Sequence, residues 1–139
     1  MKQLFVSYKI ALALKEKGFN KECFAFYNNA ESEPYIKQDF CYEMTSVIYK
    51  GDFQAPMYQQ VVDWFREKHN IYIEINLYAD GNVNYLLANL QDYNTNSTPN
   101  YRSITSDKNP SHSPYAFPLI NNGYYKALDK AIEQALKLI

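Results

Sequence analysis

Glycine is scarce in this chain, four among 139 residues, and none stands in G-x-x-x-x-G-K-[ST] or G-x-G-x-x-G. A glycine-lined cradle for phosphate is therefore absent. Cysteine is scarcer still. Cys23 and Cys41 show no C-x-x-C spacing and lie far from the two histidines, His69 and His112. Zinc wants Cys or His ligands at close, repeated intervals, so no metal site is expected. Charge of one sign is missing too: the net charge is −1 and the isoelectric point about 6.1. No long-range field draws the protein to nucleic acid or to an anionic membrane. No segment approaches the roughly 20 apolar residues of a membrane span. In MKQLFVSYKIALAL the apolar run is broken by Lys9, and Lys15 and Lys17 follow where a cleavage site would be needed. The expectation is a cytoplasmic protein with Cys23 and Cys41 as free buried thiols.

Tyrosine is plentiful, 14 residues in a chain that is 17% aromatic. Tyr offers apolar area with a polar tip, which suits a binding surface. The same abundance also fits a composition generally rich in Tyr, Asn, Lys and Ile, as AT-rich coding DNA gives. By length the chain is one domain, residues 1–139, with a long polar segment at 92–114.

Residues 55–75, APMYQQVVDWFREKHNIYIEI, change period in the middle. Helical spacing up to Lys68 gives way to strict alternation from Ile71, so a helix runs almost directly into a strand. Pro56 suits the first helical position, and Tyr58, Val61, Val62 and Phe65 form the apolar stripe, with Met57 and Trp64 at its edge. Ile71, Ile73, Ile75 and Leu77 face inward in the strand; Tyr72, Glu74, Asn76 and Tyr78 face outward. Asp80-Gly81 is a hairpin signal. The segment after it, 83–91, fits a strand or a helix, and the preceding turn favours the strand.

Upstream, Ser7 caps a first helix that Gly18 ends in a left-handed conformation, with Phe19 placed against Leu14. Ile10, Leu14 and either Ala11 or Ala13 make its inward face. Residues 23–28 and 40–49 read as strands. Downstream, 115–119 reads as a further short strand. A last helix is capped by Asn122, buried along Tyr125, Leu128, Ile132, Leu136 and Ile139, and paired on its surface through Glu133 and Lys137. The sum is an α+β domain, three helices on a mainly antiparallel sheet of about four strands.

The blocks LALKEKGFNKECFAFY, APMYQQVVDWFREKHNIYIEI and YYKALDKAIEQALKLI resemble a family of short uncharacterised proteins encoded by phages and mobile elements of Bacteroidetes-type bacteria. The similarity covers about half the chain, and DWFREKH is its most specific part. It implies an origin in a mobile element and synthesis in a bacterial cytoplasm. It carries no activity and no functional residues.

No catalytic constellation emerges. His69 ends the central helix, where an imidazole packs or caps well. His112 sits in SHSP as a loop histidine. Glu31, Glu33, Asp39 and Glu43 are the densest carboxylates and read as a solvated turn. No catalytic residue, metal or cofactor is expected. The function expected is non-catalytic binding of a protein partner. Tyr101, Arg102 and Tyr115, on or beside the long loop, and Tyr72 and Tyr78, on the outer sheet face, are the candidate contacts. The alternatives are a nucleic-acid-associated accessory factor using the loop's aromatic and basic residues, and a small hydrolase with scattered carboxylates and a histidine. A membrane partner is not expected.

Overall fold

The computed structural model describes residues 2–28, 33–36, 53–79, 81–89, 102–103, 117–118 and 123–139. The strand expected at 40–49, Cys41, Asp80, His112, Asn122 and all of 92–114 except 102–103 lie outside the described residues. The chain is α+β, with three α-helices and antiparallel strands among the described residues. It divides into two compact units, Met1–Val61 and Val62–Ile139, the division falling inside the central helix.

In the first unit, a 3-10 turn at Lys2–Leu4 precedes α1 (Tyr8–Glu16). The Ser7 side chain accepts the Ile10 N–H at the start of α1. At its end Gly18 sits at φ +86°; Gly18 N–H donates to Lys15 C=O at 3.0 Å, and Phe19 N–H to Leu14 C=O at 2.9 Å. These are the two bonds of a Schellman cap, and the expected apolar pair follows: Leu14 and Phe19 are both buried. Ile10 and Leu14 share the inward face with Ala11, which resolves the choice left open at Ala13.

β1 (Ala25–Tyr27) pairs on one side with β2 (Tyr35–Ile36) and on the other with β3 (Phe53–Gln54). All three residues of β1 are buried. Cys23, just before it, is a buried free thiol, as expected. The chain ends of this unit are tied together by the backbone: Val6 N–H donates to Pro56 C=O and Ala55 N–H to Ala25 C=O. The Tyr27 hydroxyl donates to Val6 C=O, so a buried tyrosine has its polar tip satisfied. Tyr8 packs edge-on against Tyr27 and tilted against Phe53, and the Lys15 ammonium lies 4.7 Å over the Phe53 ring.

α2 (Tyr58–His69) begins two residues later than Pro56 suggests. The reason is a side-chain cap: Gln60 Oε1 accepts the Met57 N–H at 3.0 Å, making Met57 the boundary residue. Gln60 Nε2 then donates to Glu22 C=O at 2.8 Å. Along the helix Val61, Trp64 and Phe65 are the buried residues, while Tyr58 and Val62 are half-buried. Trp64 is therefore central to the apolar stripe, not at its edge.

In the second unit, Asn70 at φ +52° is the single residue between α2 and β4 (Ile71–Leu77). β4 pairs along its whole length with β5 (Asn82–Asn89), from Ile71↔Asn89 to Leu77↔Val83. Residues 83–89 are thus strand. The hairpin closes with Gly81 N–H on Tyr78 C=O and Tyr78 N–H on Asn82 C=O, and Gly81 sits at φ +80°. That is the positive φ a hairpin loop requires. On its other side β5 carries β6 (Arg102–Ser103) at one end and β7 (Phe117–Pro118) at the other.

α3 (Gly123–Ala135) packs over β5, β4 and β7. Leu128, Ile132 and Leu136 are buried as expected, but so are Ala127, Ala131 and Ala135 beside them. These alanines recur at every fourth position, on one face of the helix. Val83, Tyr85 and Leu87 are the buried residues of alternate β5 positions. On β4, Ile71 is buried, Ile73 and Ile75 are only half-buried, and Leu77 is exposed. Among the described residues β4 pairs only with β5. Glu133 pairs with Lys130 at 2.8 Å, not with Lys137. The helix ends at Ala135, so Lys137 has left the i,i+4 geometry and its ammonium donates to Gln134 instead.

Candidate interaction surface

Cross-strand partners in an antiparallel sheet share a face, so the β4–β5 register defines two surfaces. One contains Ile73↔Leu87, Ile75↔Tyr85 and Leu77↔Val83, the set that includes the core residues of β5. The other contains Tyr72↔Ala88, Glu74↔Leu86 and Asn76↔Asn84. On this second face Tyr72, Glu74 and Asn76 are exposed, with Tyr72 at 36% of its full accessibility. Leu86 and Asn84 are half-buried, and Ala88 is buried. The Asn84 carboxamide oxygen already accepts the Tyr85 N–H at 2.7 Å.

The result is a narrow mixed surface: one exposed tyrosine and a half-buried leucine for apolar contact, with a carboxylate and two amides around them. Such a surface has the Tyr-centred chemistry of a protein contact.

Three of the five candidate contacts, Tyr72, Tyr78 and Arg102, are described. Tyr72 is on the outer face. Tyr78 is half-buried at the hairpin, its backbone fixed by Asn82 and Gly81. Arg102 is the first residue of β6 and pairs in register with Asn89, while Ser103 pairs with Ala88. The rows Ile71–Asn89–Arg102 and Tyr72–Ala88–Ser103 are adjacent, so positions 102 and 72 belong to opposite faces. Tyr101 and Tyr115 lie outside the described residues. What the sequence reading did not give is that, among the described residues, β4 has β5 as its one paired neighbour. The one signal was the polar run of Glu74 and Asn76 within an otherwise apolar strand.

Elsewhere the chemistry is subdued. Burial pushes the Cys23 thiol up to about 11, so it stays protonated at neutral pH and is a poor nucleophile. His69 faces the Trp64 and Phe65 rings. Glu33 is exposed, whereas Glu31, Asp39 and Glu43 lie outside the described residues. Among the described residues no three His, Cys, Asp or Glu side chains gather where a metal ion could be held. No helix among them is long and apolar enough to cross a membrane. No protein-family model, curated protein or solved structure matches this chain.

Proposed function

We propose that this protein is a non-catalytic binding module of phage or mobile-element origin that engages a protein partner through the outer face of β4. The observation that carries the reading is the exposed row Tyr72, Glu74 and Asn76 on a strand with one described neighbour. The resemblance of the three sequence blocks to mobile-element proteins supports the origin. A balanced charge supports a protein partner over nucleic acid, since neutralising phosphates takes a surplus of Lys and Arg.

The test is affinity capture with the tagged protein from a bacterial host, repeated after nuclease treatment. Tyr72→Ala with Glu74→Lys is compared with Tyr101→Ala with Arg102→Ala. The reading expects a captured protein that survives nuclease, is lost with the first pair and is kept with the second. Loss on nuclease treatment would move the assignment to nucleic acid.

A further inference from the structure

His69 is the last residue of α2, and the single residue Asn70 separates it from Ile71, which is 1% exposed. Its imidazole packs edge-to-face with Trp64, ring centres 4.6 Å apart, and tilted against Phe65 at 6.1 Å. Trp64 and Phe65 are both buried. Nε2 is itself buried and has no hydrogen-bond partner among the described residues. The residue as a whole is half-buried, and it is the Nε2 edge of the ring that is enclosed.

We propose that His69 makes the α2–β4 corner proton-sensitive, the neutral imidazole being the form it accommodates and proton uptake loosening it. A proton on the imidazole would place a positive charge beside a buried nitrogen that no described acceptor meets. Two effects oppose this. The helix C-terminus attracts a cation, and the face of Trp64 attracts one too. Both are smaller than the cost of burying a charged donor with no acceptor.

The charges nearby do not reverse the balance. Lys68, the adjacent residue, adds to burial in lowering the imidazole below its ordinary value near 6.5. On the same helix Asp63 is engaged by Arg66 at 2.6 Å, and Glu67 is exposed. From β4 the one carboxylate is Glu74, exposed on the outer face; on α3, Lys130 and Glu133 pair with each other. No described group of β4, β5 or α3 is among the causes of the shift. The sign follows. A folded-state value below the unfolded one contributes stability that is present above about pH 6.5 and is lost as pH falls below it.

The experiment is an NMR titration of the His69 ring in the folded protein, joined to thermal melts between pH 7 and pH 5. His69→Phe and His69→Gln serve as non-titrating variants, the first keeping the ring packing. The proposal expects a titration midpoint below 6.5 and a fall in melting temperature with acid that is smaller in both variants. A midpoint at or above 6.5 would mean that Trp64 and the helix end hold the imidazolium, and would overturn the proposal. An identical acid response in the folded variants would also overturn it. If neither variant folds, the titration of the unaltered protein decides.

Discussion

Phe65→Ala tests the packing of the central helix most severely. Phe65 is 0% exposed, and its ring lies 5.1 Å from that of Trp64 and 6.1 Å from that of His69. Truncation removes the buried ring and leaves a void that Trp64 cannot fill without leaving its own packing. Losses of this kind cost roughly 3–5 kcal/mol, against about 5–15 kcal/mol for a whole domain. At a few degrees per kcal/mol for a chain of this size, the melting temperature should fall by roughly 10–15 °C. The assay is a thermal melt followed by circular dichroism, with urea unfolding beside it to show that the denaturant slope is unchanged. Phe65→Leu keeps most of the volume and should lose roughly 1–2 kcal/mol. A Phe65→Ala melt within a degree or two of the unaltered protein would refute the reasoning, since a fully enclosed ring cannot be removed at no cost.

Gly18→Ala should cost about 1 kcal/mol, from backbone strain alone, because a Cβ there meets no atom within 4 Å. A larger loss in a denaturant titration would mean that the cap contributes more than its left-handed residue. Asn70→Gly, at φ +52°, should be neutral or stabilise by a few tenths of a kcal/mol, whereas Asn70→Val should destabilise by at least about 1 kcal/mol. Equal stability of the two variants would contradict the assigned conformation. Cys23, studied alone in a Cys41→Ser background, should react slowly with a thiol reagent until denaturant is added. Rapid labelling of the folded protein near pH 7 would contradict a thiol pushed up to about 11.

Local signals in the sequence translated directly into structure. The run KEKGF specified a helix end completely, because a Schellman cap needs only a left-handed residue and an apolar neighbour on either side of it. The change of period after Lys68 located the α2–β4 corner for the same reason: both elements are long enough to show their repeat. Features set by partners distant in sequence were not legible. The strands Tyr35–Ile36 and Phe53–Gln54 are two residues each, too short for any period, so the separate three-stranded sheet around β1 could not be anticipated. The start of α2 was displaced by one glutamine side chain. The alanines of α3 carry little hydrophobic signal although they are fully buried. Alternation in β4 marked its two faces but not its place in the sheet, because hydrogen-bonded neighbours leave no trace in a strand's own period. Tyr72, a candidate contact named from sequence, is exposed on that outer face.

The central claim is that the outer face of β4 binds a protein. The direct measurement is quantitative capture after nuclease treatment, comparing the unaltered protein with Tyr72→Ala/Glu74→Lys, once melts show that the variant folds. Exposed substitutions of this kind usually change stability by less than about 0.5 kcal/mol, so the variant's fold should be intact. The account predicts a nuclease-resistant partner whose capture falls at least about tenfold in the variant, the loss expected from one Tyr-centred contact of roughly 1.4 kcal/mol or more. Undiminished capture by a folded variant would contradict it.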